Sequence, residues 1–305
     1  MNVLNKMQRE PEISVILVNH NNKSHLKECL LALEKSSLRP CLEFIVVDNN
    51  SSDGSRDFIR DHFPLVRLIG NQKNRGFSAA NNQGIRLSKG DFILFLNPDT
   101  LPYAQSLNLM LQEIKSNPRV GAVGPALIKG ENKFQVSFGS RVNFWKEFLQ
   151  RCFLNPYHRT ILKRSRKKKE VGWLSGACLL VRKDILDRED FFDENFFLYF
   201  EDIDLCLRMR KKGWKLIYLP QARVFHREGA STSLQKTAAR YEYRKSQIYF
   251  YQKHNSRVSL FLLRLYLLLN FSFLFLFHGL GKGRNFKEQK RFFRLLKRKA
   301  KMSKA

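Results

Sequence analysis

The sequence has few cysteines and spaces them poorly for cross-linking: Cys29, Cys41, Cys152, Cys178 and Cys206 are odd in number and contain no C-x-x-C pair. That excludes a disulfide framework and a zinc module, and a reducing compartment fits best. The first ten residues hold no apolar h-region, so no cleaved signal peptide is expected. There is no internal repeat and no low-complexity stretch, so neither a repeat array nor a disordered chain is indicated. Acids are scarce beside bases, 27 Asp+Glu against 55 Lys+Arg, for a net charge of +28. Such an excess points to anionic partners: nucleic acid, anionic lipid or a phosphorylated substrate. No helix-turn-helix, zinc-finger or RNP pattern accompanies it.

What is present is a core and a lopsided charge distribution. With 43% apolar residues over 305 positions, the chain can build one large domain or two small ones. Residues 151–169 carry eight Lys/Arg and no acid, and residues 282–304 carry eleven against the single Glu288. Between these clusters, residues 258–277 form a near-continuous apolar run of twenty residues, about the length that crosses a bilayer. Arg264 lies inside the run, where it would cost roughly 2.5–3.5 kcal/mol near a helix centre, and both flanks are basic. The pattern favours a shallow or re-entrant segment over a full span, followed by a basic amphipathic helix on an anionic surface. A buried core helix is the soluble alternative.

From Ile13 onward, short apolar runs alternate with amphipathic segments, which predicts strand-helix units around a largely parallel sheet. Residues 13–18, 43–47, 66–69 and 91–96 read as strands, and residues 24–36 and 77–88 as helices, the first N-capped by Ser24. Residues 49–55 read as a turn that caps a further helix. A helix over 104–116, a strand over 120–125 and an apolar stretch over 173–181 follow. The acids of a helix over 202–212 lie in its first turn, and a strand over 214–219 ends before Pro220, with residues 222–225 leading to His226. The first hundred residues thus form a doubly wound, nucleotide-binding half. Ligands bind such sheets at the carboxyl ends of the strands, where Asn19, Asp48, Asn71 and Asp99 fall. Residues 130–169 have no steady period and read as a mobile or acceptor-facing insertion.

Two acidic stops stand out, about a hundred residues apart: Phe95-Leu96-Asn97-Pro98-Asp99-Thr100, and Phe200-Glu201-Asp202-Ile203-Asp204 with His226 beyond it. Each follows an apolar run, so each carboxylate sits at the exit of a core element, where an unpaired charge is costly. If the two stops meet, Asp99 and His226 offer a hard-metal site and Asp202 a separate base, which suits a phosphate-bearing substrate.

Further blocks accompany these stops in order: Ile16-Leu17-Val18-Asn19-His20-Asn21, Val47-Asp48-Asn49-Asn50-Ser51-Ser52-Asp53-Gly54-Ser55, Asn74-Arg75-Gly76-Phe77-Ser78-Ala79-Ala80-Asn81-Asn82-Gln83-Gly84 and Gly176-Ala177-Cys178. On these, residues 13–230 resemble a family 2 glycosyltransferase of the rhamnosyltransferase-like kind. The resemblance implies an α/β GT-A fold, a Rossmann-like, mostly parallel mixed sheet flanked by helices, here with a C-terminal hydrophobic and basic helical extension. It implies Asp48 on the nucleotide base and Asn81 near the ribose and diphosphate, with Asn19, Asn97 and Asp99 completing the donor set. The family's metal motif is usually two acids flanking one residue. Here it reads Asn97-Pro98-Asp99, which leaves Asp99 as the charged ligand beside His226 for Mn²⁺ or Mg²⁺, the histidine tilting the choice toward Mn²⁺. Asp202 is then the general base of an inverting displacement, Glu201 orients the acceptor and Asp204 caps its own helix. Without the resemblance, Asp48 caps the helix after Ser55, the glycines of residues 74–84 serve turns, and His226 is a structural histidine.

The expected partners are a nucleotide sugar, a cell-envelope glycan or lipid-linked acceptor and an anionic membrane surface, at the cytoplasmic face of the inner membrane. The expected organisation is a catalytic domain over 1–230, a helical linker over 231–257, a membrane-associating segment over 258–281 and a basic tail over 282–305. Two other classes stay open: a membrane scaffold with a degenerate transferase fold, motivated by Asn97, and a nucleic-acid-binding protein, motivated by the charge. A nucleotidyltransferase would show a basic, Gly-rich loop near the first strand, and none follows Val18.

Overall fold

The structure, a computed structural model, describes residues 10–130, 133–140, 142, 167–186, 191–227 and 236–278. Most of the insertion expected over 130–169 and all of the basic tail over 282–305 lie outside the described residues. The chain divides into two compact units, residues 1–141 with 156–234 and residues 142–155 with 235–305.

The first unit opens with β1 (Ile13–Asn19), α1 (Lys23–Glu34), β2 (Leu42–Asp48), α2 (Ser55–His62), β3 (Arg67–Gly70), α3 (Phe77–Leu87) and β4 (Phe92–Leu96). It continues through β5 (Thr100–Pro102), α4 (Ser106–Ser116), β6 (Val120–Lys129), β7 (Lys133–Phe134), β8 (Phe138–Gly139), β9 (Lys169–Glu170), β10 (Trp173–Leu174), β11 (Cys178–Arg182), α5 (Glu201–Lys211) and β12 (Lys215–His226). The main sheet runs β3-β2-β1-β4-β11-β6-β12-β5. Its first four strands are parallel, β11 inserts antiparallel between β4 and β6, and β12 runs parallel to β6. This is the mixed, mostly parallel α/β sheet expected from the alternating pattern.

Strand periodicity explains the two-sided core. On β1, Val15 and Leu17 join Phe44, Val46, Leu94 and Leu96 under α1 and α4, whereas Ile16 joins Ile45, Val47, Ile93 and Phe95 under α3 and α5. Both faces are covered, so the central strands are apolar at nearly every position. Gly84 makes one close approach possible: a Cβ there would stand 2.6 Å from Ile16 Cγ2, so a side chain would push α3 off β1.

Three local expectations are corrected. Ser24 is not the N-cap of α1; the N-cap position is Asn22, which makes no side-chain capping bond. Instead Asp53, from the loop after β2, accepts from the Lys23 amide at 2.8 Å. Asp204 does not cap α5; it is fully buried and accepts from Arg208 Nε at 2.8 Å, one helical turn on. Pro220 does not end a strand. β12 continues through it to His226, and the register against β6 slips between Leu219 and Arg223, an irregularity that accommodates a residue with no N–H to donate.

The second unit contains α6 (Lys236–His254) and α7 (Arg257–His278). Ser256 caps α7, its Oγ accepting from the Ser259 amide at 3.2 Å. Ile248, Phe250 and Tyr251 of α6 and Leu263 and Leu267 of α7 are buried, while Val258, Phe261, Leu265, Leu268 and Leu269 are exposed at helical spacing. Among the described residues, no helix is long and apolar enough to cross a membrane.

Candidate active site

The carboxyl ends of β1, β2 and β4, the β6–β7 hairpin, the turn before β11 and the start of α5 surround a cleft of about 930 Å³. Asn97, Asp99, His226, Glu201 and Asp202 all line it. The two acidic stops therefore do meet.

Chain register brings Asp99 to His226. After β4 the chain turns sharply, with Thr100 donating through both its amide and its hydroxyl to the Asn97 carbonyl at 3.2 and 2.6 Å. β5 then pairs antiparallel with the end of β12, Thr100 opposite His226, and the Arg227 amide donates to the Asp99 carbonyl at 3.1 Å. His226 Nε2 consequently lies 3.5 Å from Asp99 Oδ1. That oxygen is buried without a hydrogen-bond partner. The other ring nitrogen, Nδ1, faces Gln135 Oε1 at 2.7 Å. An unpartnered carboxylate oxygen facing an imidazole nitrogen is a donor pair that fits a divalent cation. Among the described residues, no group of three or more His, Cys, Asp or Glu is placed to hold a metal ion.

On another wall, Asp202 sits in the first turn of α5 with both oxygens held by backbone amides, Gly176 to Oδ2 and Ile203 to Oδ1, each at 2.8 Å. Burial raises its proton affinity, and these amides pull it part of the way back. Glu201 is held well above the ordinary carboxylate range, first by burial and then by the charges of Asp202 and Asp204. Its Oε2 is buried with no partner. Asp202 is thus the member of the pair whose anion is hydrogen-bonded, and Glu201 the one that retains its proton to higher pH. Tyr199 and Phe200, at φ 70° and 69°, both occupy the left-handed region just before these acids. Two bulky residues there store about 1–3 kcal/mol each, and the sequence offers no sign of it.

The nucleotide-side candidates are distributed differently from the expectation. Asp48 is fully buried and does not line the cleft; Val18, His20 and Asn49 do. Burial would raise the Asp48 carboxyl, but bonds from Ser51, Arg56 and Asn19 outweigh it and hold the group below its usual range. Arg56 Nε lies 2.6 Å from its Oδ1 and Asn19 Nδ2 lies 3.0 Å from its Oδ2, so Asn19 and Asp48 together brace the loop after β2. Asn81 is also away from the cleft wall, donating to the Phe77 carbonyl one turn back at 2.9 Å. Its neighbour Asn82 makes the long-range connection that sequence reading missed, bonding both the amide and the carbonyl of Phe192, at 3.0 and 2.8 Å. A second missed feature is Asn49, which donates to the Gly76 carbonyl and accepts from Asn71 Nδ2 at 2.9 Å, tying two strand-end loops together. At Gly76, φ is +85° and a Cβ would stand 2.6 Å from the Phe197 carbonyl, so this approach requires glycine.

The sequence profile of glycosyl transferase family 2 matches residues 14–189. An N-acetylglucosaminyl-diphospho-decaprenol L-rhamnosyltransferase of Mycobacterium tuberculosis is 30% identical over 239 residues, 72% of this chain and 77% of that protein. The rhamnosyltransferase WbbL of Escherichia coli is 28% identical over 223 residues, 70% of this chain and 83% of its own length. In fold, the chain is similar to the mannosyltransferase PcManGT of Pyrobaculum calidifontis, solved with GDP-Man and Mn²⁺, with TM-score 0.56 and 21% identity over 80% of this chain and 64% of that one. It is also similar to GalNAc-T7, solved with UDP, GalNAc and Mn²⁺, with TM-score 0.57 and 16% identity over 78% of this chain and half of that one.

Proposed function

The chain belongs to glycosyl transferase family 2, and on that premise we propose that its cleft moves a sugar, rhamnose, from a nucleoside-diphosphate donor to a hydroxyl of a lipid-linked envelope acceptor, with inversion. The observation that carries this reading is the convergence of Asp99, His226, Glu201 and Asp202 on one cleft. The choice of sugar and acceptor draws its support from the names of the mycobacterial and Escherichia coli relatives.

The nucleotide lies at the strand ends near Val18, His20 and Asn49, with Asp48 and Asn19 beneath them as loop braces. Asp202 takes the proton of the acceptor hydroxyl as that oxygen attacks the anomeric carbon from the face opposite the leaving diphosphate. Glu201, holding its own proton, orients the acceptor beside it. Asp99 and His226 would hold a divalent cation, which would supply positive charge to the leaving diphosphate. Lys129 and Lys133, directly opposed across the β6–β7 pairing, both line the cleft.

The exposed apolar face of α7, with the basic residues 282–304 following it in sequence, is the edge that meets an anionic membrane. The scaffold reading has less support, because the amide-held Asp202 and the Asp99–His226 pair are both intact despite Asn97. The nucleic-acid reading draws no support from the family match or from the relatives named above.

A donor screen tests the proposal: nucleoside diphosphate release is followed over a panel of nucleotide sugars with Mn²⁺ or Mg²⁺ and lipid extract, for native protein, Asp99→Ala and Asp202→Asn. Metal-dependent release from one donor, lost in both variants, is expected. Silence across the panel with acceptor present overturns the reading.

A further inference from the structure

We propose that Gln135 is a positioning residue that selects the ring tautomer of His226 and so leaves Nε2 free to ligate; this rests on the reading of Asp99 and His226 as the metal pair. Gln135 directly follows β7, and its amide donates to the Leu127 carbonyl of β6 at 2.8 Å, which fixes its backbone on the hairpin. Its side chain grips His226 twice. Nε2 donates to the His226 backbone carbonyl at 2.9 Å, and Oε1 faces the ring Nδ1 at 2.7 Å.

The first contact decides the second. A carbonyl oxygen can only accept, so the NH₂ end of the Gln135 amide must face it, which turns Oε1 toward the ring. Since Oε1 is itself an acceptor, Nδ1 carries a proton, and of the two neutral tautomers this is the one that leaves a bare lone pair at Nε2. That nitrogen lies 3.5 Å from the buried, unpartnered Asp99 Oδ1. Without Gln135 the competing tautomer would place a proton on Nε2 and donate it to Asp99. The ring would then be tied to the carboxylate as a donor and lost as a ligand. The hydrogen bond at one ring nitrogen thus sets the role of the other.

The test reads the tautomer and the metal separately. Long-range ¹H–¹⁵N spectra of the histidine rings, with the His226 signals assigned by their loss in His226→Asn, report the tautomer without metal. Mn²⁺ paramagnetic resonance reports binding. In native protein the His226 proton is expected on Nδ1. Gln135→Glu, which keeps an acceptor at Nδ1, retains that tautomer and binds Mn²⁺ at least as tightly. Gln135→Met moves the proton to Nε2 and weakens Mn²⁺ binding about 10–100-fold. If Gln135→Met does not fold, Gln135→Asn, one methylene too short to hold both atoms, gives the same readings. A tautomer and Mn²⁺ affinity unchanged in these variants, while Asp99→Ala abolishes binding, overturn this inference alone. Native protein that binds no Mn²⁺ overturns the metal reading and this inference with it.

Discussion

The Gly176 amide donates to Asp202 Oδ2 at 2.8 Å, and a Cβ at Gly176 would stand 3.2 Å from Asp202 Cβ. The residue that holds the proposed base in place is thus also one that can grow only if Asp202 gives way. Gly176→Ala should move Asp202 by a few tenths of an ångström and lower kcat about 10–100-fold while the protein stays folded. Steady-state kinetics beside a thermal melt would check this; an unchanged kcat would show that the placement of Asp202 is not critical.

Asp202→Asn should cost about 10²–10⁴-fold in kcat, the usual contribution of a general base. Because burial raises the Asp202 proton affinity, the acidic limb of the native pH–rate profile should lie above the ordinary aspartate value of 3.8. A limb at or below that value would point to a different base.

Glu201 should lower stability as pH rises. Its carboxyl binds a proton more tightly folded than unfolded, so between the ordinary value of 4.5 and its raised folded value the native state holds more protons, and stability falls with increasing pH. Glu201→Gln should flatten that fall and raise the neutral-pH Tm by a few degrees. Asp48 has the opposite sign: its lowered value contributes stability above pH 3.8 that is lost as pH falls through the folded value. Melts from pH 3 to 8 for Glu201→Gln and Asp48→Asn would separate the two.

Asn81→Ala and Asn82→Ala should differ sharply although the residues are adjacent. Asn81 bonds only within its own helix among the recorded contacts, and its loss should cost within about 1 kcal/mol. Asn82 bonds both backbone groups of buried Phe192, so removing it strands a donor and an acceptor and should cost about 2–5 kcal/mol. It should also raise the donor KM, because the segment after Phe192 carries cleft residues Phe197, Leu198 and Tyr199. Denaturant unfolding of the two variants decides this.

The exposed α7 face should bind lipid. Phe261→Glu with Leu265→Glu should reduce cosedimentation with anionic vesicles at least tenfold while leaving donor hydrolysis in detergent unchanged. Equal partition of variant and native protein would remove α7 from the membrane reading.

Much of this molecule could be read from its sequence because strand and helix periodicity are local properties. The apolar runs at Ile16, Ile45 and Ile93 need both faces covered, so they point to a layered α/β sheet on their own. Carboxylates at the exits of such runs are costly enough to nominate Asp99, Glu201 and Asp202 as site candidates from their positions in the sequence, and all three line the cleft. Pairings set by distant segments were not legible. Asp53 caps a helix thirty positions before it in the chain, Asn82 rather than Asn81 spans to Phe192, and Asp48 turns inward to Arg56. Gln135 meets His226 only because β6, β7 and β12 lie side by side. Sequence by itself determined the layers and the family and nominated the acidic side chains proposed to react, since each depends on residue type and short-range spacing. Tertiary structure alone decided which oxygen is left unpartnered, which side chain faces His226 Nδ1 and which asparagine reaches across, because those depend on register between strands far apart in the chain.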